Sequence, residues 1–472
     1  MEPVRLTQIL AATRAASAGL TGDDLVVTHV SVDSRTLQRG DLFWALRGTN
    51  HDGQQYIAQA VRRGAIACVV NRLPAVNIDI PLVLVDDTLR ALGDFARWYR
   101  QQRETLVIGV TGSVGKTTTR EIIHAVLSVR HTGLQSQKNF NNEIGLPLSL
   151  LEIEAPDEFG VIEMGAARRG DIRSLCTIAV PEVGVITRIG KAHLETFGSL
   201  EAIYQAKGEL LDALPRHGFA VIGGDDAALR AQAARAACPV IFVGEQPGNQ
   251  IRATAVEFQP GRLRFVVDKS EYELPVHARH YLSAALCALA VGREIGMEPR
   301  AIAEGFAHFV GQPGRCTVEH TSICTIIDDT YNANPLSMQA ACLCLGDWPG
   351  QGHKLLIVGD MLELGDESQS SHRELGASAA ATRIDRLLAF GDNAGHVSQG
   401  ALHAGMPPHK VAECHEFESL LTVLDCWLEP GDVVLVKGSR GMKMERVVQW
   451  LKQRGNESRP VQRVPSTARA VA

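Results

Sequence analysis

The chain has 472 residues, of which 45% are apolar and 21% charged, with 44 glycines and 20 prolines. This globular composition suits about two to four domains, and glycine and proline follow no short period, which excludes fibrous and low-complexity classes. A formal net charge of −6 argues against a protein whose main work is gripping nucleic acid, since such proteins are usually basic.

Along the chain, the N-terminus opens with Glu2 and Arg5, and Arg14 interrupts the apolar run that follows. That pattern is wrong for a secretory signal. The longest apolar stretch, 281–292, is bounded by His280 and Arg293 and is too short to span a bilayer. Ten cysteines are scattered from Cys68 to Cys426 without a CxxC pair. Reduced thiols and a cytoplasmic location are the expectation.

The first hundred residues read as a small mixed unit, with apolar runs at 42–46, 66–70 and 82–85 and a helical stretch at 56–63. A connecting helix is predicted over 86–103 from Leu89, Leu92, Phe95, Ala96 and Tyr99 at helical spacing. From Leu106 the texture becomes strand, glycine turn and helix in repetition, with strands predicted at 106–110, 160–163, 182–187, 220–222 and 240–243. Such apolar runs between amphipathic helices predict an α/β fold with a parallel sheet covered on both faces. Alternation over 252–275 predicts a local antiparallel ribbon. Gly311-Gln-Pro-Gly314 marks a hinge. Strands predicted at 324–328, 355–358, 387–390 and 433–436 then compose a second, Rossmann-like unit. The expected division is 1–103, 104–312 and 313–455, followed by a polar, disordered tail over 456–472.

The most informative stretch is Gly109-Val-Thr-Gly-Ser-Val-Gly-Lys-Thr-Thr-Thr119, after a strand and opening a helix. Glycines let backbone N–H groups turn inward around phosphate oxygens, and the helix N-terminus adds a positive field. Lys116 would reach the β- and γ-phosphates and the Thr117 hydroxyl would ligate magnesium. The spacing departs from the strict Walker pattern, because Val110 stands six before Lys116 and the inner glycine is Gly112. Glu163 ends an apolar strand, where it faces the ligand crevice of a parallel sheet or serves as a cap or ion-pair partner. His193 alone reads as a structural hydrogen-bonder, and Lys207 as a solvated helix lysine. Asn139, Asn141 and Asn142 form an amide-rich loop, as do the residues of Asp328-Asp-Thr-Tyr-Asn-Ala-Asn-Pro335; amides there recognise polar ligands or simply make turns.

These motifs together resemble the ATP-dependent Mur ligases over nearly the whole chain. The resemblance includes Asp33-Ser-Arg35 with 40–48, the phosphate loop, Lys138-Asn-Phe-Asn-Asn-Glu-Ile-Gly-Leu-Pro147, Glu163-Met-Gly165 and Ala192-His-Leu-Glu195. It continues through 328–335, Gly359-Asp-Met-Leu-Glu-Leu-Gly365 and Lys437-Gly-Ser-Arg440. The phosphate loop is common to all Mur ligases and to folylpolyglutamate synthase; the 139–142, 331–335 and 359–365 runs are similar to the branch that adds D-alanyl-D-alanine.

The resemblance implies a three-domain ligase that joins UDP-N-acetylmuramoyl-tripeptide to D-alanyl-D-alanine through an acyl phosphate, as a monomer outside the membrane. It implies ATP at Gly112, Ser113, Val114, Gly115, Lys116, Thr117 and Thr118, with Arg315, Asp329 and Asn332 contributed by the C-terminal unit. It implies Mg2+ at Thr117, Glu163, His193 and a carbamylated Lys207, with Lys116, His193 and Lys207 catalytic. Ser34, Arg35, Asn139, Asn141 and Asn142 fall at substrate-binding positions. The competing readings are another amide ligase of the Mur or folylpolyglutamate type and a nucleotide-binding module without turnover. Departures concentrate where the family carries asparagines: Gly223, Tyr281 and Ala284 stand at those places, Arg188 replaces another Asn, and Gln54 replaces a His. Weaker selection for adenine is expected, with Tyr281 stacking on or covering the base.

Overall fold

Three sheets rich in parallel pairing carry the chain. The computed structural model describes residues 1–18, 24–48, 51–75, 78–137 and 139–457. The last helix, Glu445–Glu457, runs past Gly455, so helix replaces the first two residues of the expected tail, and 458–472 lie outside the described residues.

The first sheet has the order Ala16–Ala18, Leu82–Leu84, Ala67–Val70, Leu42–Trp44 and Val30–Ser31, and only its outer strand Ala16–Ala18 pairs antiparallel. The helix Thr88–Gln101 fastens this sheet to the next one. Trp44 donates from its indole nitrogen to the Thr88 carbonyl at 2.7 Å and stacks on Phe95 at 5.9 Å. On the other side the Tyr99 hydroxyl donates to the Ile153 carbonyl at 2.5 Å, and Arg100 pairs with Glu182 at 2.8 Å.

The central sheet has seven parallel strands in the order Ile251–Arg252, Val240–Gly244, Phe219–Gly223, Val183–Ile186, Leu106–Thr111, Phe159–Glu163 and Gly133–Gln135. Its middle strands are buried along both faces, as continuous apolar runs require. The chain winds outward in both directions from Leu106–Thr111, so the crevice at that strand's carboxyl end is where the fold places ligands. The helix Lys116–Leu127 is walled in by Tyr281–Glu294 and Pro299–Ala307. Gly305 makes the second approach possible: a Cβ there would lie 2.4 Å from the Val126 Cα. The expected ribbon is present as Thr254–Gln259, Arg262–Val267 and Ser270–Leu274.

The third sheet has the order Thr317–His320, Cys324–Asp329, Asp432–Lys437, Lys354–Gly359, Arg386–Phe390 and Val411–Cys414, parallel except for the first pair. Loops at the carboxyl ends of the central and third sheets border one cleft. No described helix is long and apolar enough to cross a membrane.

Candidate active site

The cleft begins with a backbone that only glycine permits. Leu106–Thr111 runs into Gly112 at φ +148°, and a Cβ there would stand 2.0 Å from the Thr187 Oγ1. Gly115, at φ +85°, then starts the helix Lys116–Leu127. Neighbouring segments fix the loop's shape. Ser113 and Val114 donate their N–H groups to the Arg188 carbonyl at 2.9 and 3.2 Å, and the Thr187 hydroxyl donates to the Val114 carbonyl at 2.7 Å. Lys116 Nζ donates to the Gly112 carbonyl at 2.9 Å. Burial pushes its pKa below the ordinary lysine value; Arg315 adds to this and Glu163 opposes it.

Glu163 anchors the next part. Its N–H donates to Ser136 Oγ at 2.9 Å, and Oε2 accepts from the Thr117 hydroxyl at 2.7 Å with Arg120 Nη1 at 3.5 Å. Oε1 accepts from Asn141 Nδ2 at 2.8 Å. Thr117 Oγ1 also accepts from Arg315 Nη2 at 2.8 Å, which joins the phosphate loop to the first residues of the third sheet's unit. The Arg315 guanidinium lies 4.0 Å from the Tyr331 ring centre, and its buried Nε has no hydrogen-bond partner among the described residues. A buried donor left unpaired is costly, and an anion in the cleft would satisfy it.

Lys207 is the clearest departure from a bland reading of the residues. It sits on Leu200–Ala213, a helix capped by Ser199, and is 3% exposed instead of solvated. Its amine is 3.3 Å from the Ala166 carbonyl and 5.8 Å from the Phe197 ring centre. Burial first, then the Lys116 charge, bring its pKa down to about 7. His193, at φ +53°, pairs through Nδ1 with the Glu363 carboxylate from the loop after Lys354–Gly359. Burial lowers its pKa, with Glu363 opposing. Lys191 pairs with Glu367 beside it, and the Glu195 N–H donates to the Glu363 carbonyl at 3.3 Å. Among the described residues no three His, Cys, Asp or Glu side chains gather as a metal site. The candidate donors are therefore the Thr117 hydroxyl, Glu163 and His193, with Lys207 able to join only after it loses its ammonium character.

Across the cleft, Asp329 pairs with Lys437 Nζ at 2.6 Å, and the same amine donates to the Asn332 carbonyl at 2.9 Å. Asn334 caps the helix Pro335–Gly346. The cleft measures about 1390 Å³, and every nucleotide, metal and amide position expected from sequence lines it, from Gly112–Thr118 through Asn139, Asn141, Asn142, Glu163, His193 and Lys207 to Arg315, Asp329 and Asn332. Asn142 also holds the turn that leads into the helix Gly145–Leu151, its Oδ1 accepting from Ile144 N at 3.1 Å and Gly145 N at 2.9 Å. Ser34 and Arg35 lie outside this cleft, on the first sheet's unit: the Ser34 hydroxyl donates to Gln59 at 2.9 Å and Arg35 pairs with Asp33 at 2.7 Å.

Sequence reasoning gave no role to Ser136, Arg120, Thr187, Tyr331 or Glu363. Arg120 carried a signal in its spacing, four residues after Lys116 on one helical face, and Tyr331 and Glu363 lay inside the 331–335 and 359–365 runs that carry the resemblance. Tyr281 lines the cleft. Its ring is 4% exposed, stacked on His280 at 5.3 Å and near Phe309 at 6.0 Å. Little ring surface is left for a base, and its hydroxyl donates to the Arg315 carbonyl at 2.7 Å. Ala284 lines the cleft and Gly223 does not.

Three family models match the chain: the Mur ligase family catalytic domain over 26–100, the Mur ligase middle domain over 110–292 and the Mur ligase glutamate ligase domain over 314–440. The UDP-N-acetylmuramoyl-tripeptide--D-alanyl-D-alanine ligase of Bacillus subtilis is 35% identical over 433 residues, which are 91% of this chain and 94% of that protein. A crystal structure of MurF from Acinetobacter baumannii has a TM-score of 0.88 at 31% identity, covering 96% of this chain and 99% of that one. MurF from Thermotoga maritima, solved in complex with ADP, has a TM-score of 0.80 at 31% identity, covering 91% and 98%.

Proposed function

The chain belongs to the Mur ligase family, and from that premise we propose that it joins D-alanyl-D-alanine to UDP-N-acetylmuramoyl-tripeptide with cleavage of ATP, in the cytoplasm and as a monomer. The observation that carries this reading is the single cleft in which the phosphate loop, Glu163, Lys207 and Arg315 converge. We divide the chain into working units at 1–103 for the UDP end of the precursor, with Ser34 and Arg35, 104–312 for ATP, and 313–455 for the dipeptide and closure over the nucleotide.

A carboxylate must approach a triphosphate in this reaction, so cationic groups have to offset the repulsion between anions. Lys116 and the backbone N–H groups at the helix start, Gly115–Thr118, hold the phosphates. Arg315 brings its unpartnered Nε to the same end, and Asp329 and Asn332 border the nucleotide from the opposite wall. Asn139, Asn141 and Asn142 face the tripeptide end. The tripeptide carboxylate takes the γ-phosphoryl group, ADP departs, the dipeptide amine attacks the acyl phosphate, and inorganic phosphate leaves as the amide forms.

The residues present fit magnesium. Thr117 and Glu163 supply hard oxygens, and His193 adds an imidazole. The buried, low-pKa amine of Lys207 suits capture of carbon dioxide as a carbamate, which would turn a cation into an anionic oxygen donor. Bound there, magnesium would neutralise phosphate charge. Thr117 and Arg315 are held together at the point where the phosphates must lie.

Purified protein given ATP, magnesium, the UDP-linked tripeptide and D-alanyl-D-alanine should yield the UDP-linked pentapeptide by mass, with one phosphate released per product. Free D-alanine should not replace the dipeptide. Equal product from a single amino acid would assign the chain to a neighbouring amide ligase, and nucleotide binding without product would make it a binding module.

A further inference from the structure

In the turn between the central and third sheets, 311–316, the Arg315 backbone carbonyl is held from the central side by a side chain, Tyr281. Tyr281 opens the helix Tyr281–Glu294, which is buried along most of its length. Packing against His280 and Phe309 fixes the ring, so the hydroxyl reaches the Arg315 carbonyl at 2.7 Å from an immobile base. Arg315 is the residue that reaches back over the cleft to Thr117 Oγ1, with its guanidinium laid on Tyr331 and its Nε unpartnered. A long side chain delivers a charge to a fixed point only where its own backbone is fixed.

That backbone is in an unusual conformation. Cys316 follows Arg315 at φ +51°, and a non-glycine residue persists there only where its surroundings over-determine it. The turn's own bonds, Arg315 N to the Gln312 carbonyl at 3.2 Å and Tyr331 N to the Gly314 carbonyl at 3.0 Å, come from the turn and from the loop beyond it. From the central unit, the Tyr281 hydroxyl holds the Arg315 carbonyl, and His280 bonds the Cys316 side chain.

Resting on the ligase function proposed above, we infer that Tyr281 is a positioning residue: it holds the hinge peptide so that Arg315 meets the nucleotide phosphates, and it thereby couples the hinge to phosphate binding. This position carries an asparagine in the resemblance, and an asparagine is too short to reach that carbonyl from the start of the same helix.

Tyr281→Phe removes the hydroxyl and keeps the ring and its packing. Affinity for ATP with magnesium, measured by calorimetry on the full chain, should fall roughly 2- to 12-fold, the range for one neutral hydrogen bond. The KM for D-alanyl-D-alanine should stay as it is. In an Arg315→Ala background the Tyr281→Phe change should cost nothing further, because the hydroxyl acts through that side chain. An unchanged affinity in the single variant, or the same loss in both backgrounds, would overturn the inference. Absence of phosphate release from wild-type protein with both peptide substrates would sink the proposed function instead, while the binding cycle would still decide the role of Tyr281.

Discussion

At 3% exposure, the Lys207 amine sits between the Phe197 ring and the Ala166 carbonyl, and burial together with Lys116 brings its pKa down to about 7. Lys207→Ala should lose most turnover, and a small carboxylate such as formate should restore part of it by occupying the space of the proposed carbamate. Lys207→Arg keeps the positive charge and leaves no space, so it should stay inactive with or without formate. Near-normal rates in the alanine variant would remove Lys207 from the metal site. Nucleotide choice is a second residue-scale consequence. Tyr281 and Ala284 offer no side-chain amide to the base edge, and a missing neutral hydrogen bond weakens discrimination by about 0.5–1.5 kcal/mol. The ratio of kcat/KM for ATP over GTP should be lower than in a relative that carries the asparagines. An equal ratio would mean that other groups read the adenine. The phosphate loop was legible because its chemistry is local to seven residues, Gly112–Thr118. The burial of Lys207 was not: it depends on Phe197 and Ala166, which folding brings over a helix that looks solvated in sequence.

At the scale of elements, the phosphate loop is shaped by what touches it. Gly112→Ala would force a Cβ to 2.0 Å from Thr187 Oγ1 at φ +148°. The strain should be at least roughly 1–3 kcal/mol, seen as a lower Tm, and ATP should no longer raise the Tm. A variant that melts and binds ATP normally would mean that this approach is not needed. The loop bearing Glu363 depends on His372, which is 0% exposed. The Met361 N–H donates to its Nε2 at 2.9 Å, so its Nδ1–H donates to the Ser368 carbonyl at 2.6 Å and the ring is neutral. Burial sets its pKa below the ordinary 6.5, with Asp360 opposing at 4.0 Å. Between that lowered value and 6.5 the unfolded chain binds more protons, so this contribution to stability is complete above about pH 6.5 and is lost as the pH falls. His372→Gln should flatten the fall of Tm between pH 6.5 and 5 relative to wild type; identical profiles would rule out the histidine as its source. The inner strands were legible as apolar runs, within a residue or two of their observed ends, whereas the edge strands Gly133–Gln135, Thr317–His320 and Val411–Cys414 were not. The tie between His372 and Met361 was not, because nothing in the spacing of the two residues sets a polar side chain inside a core.

For the whole molecule, the functional arrangement is two sheets whose carboxyl-end loops border a common cleft, with Arg315 and the Glu363 loop reaching from one to the other. The alternation of strands and helices made the inner strands of both sheets legible from sequence. Which residues would meet across the cleft was beyond local pattern, since Arg315 and Thr117 are 198 positions apart. In the proposed reaction, bringing them together serves one chemical purpose, the transfer of a phosphoryl group to a carboxylate and its displacement by an amine. The most direct test follows the oxygen atoms. With 18O in the terminal carboxylate of the UDP-linked tripeptide, one labelled oxygen should appear in inorganic phosphate for each amide formed, and only when D-alanyl-D-alanine is present. Label found in AMP, or phosphate released without label while the pentapeptide forms, would contradict an acyl-phosphate ligase.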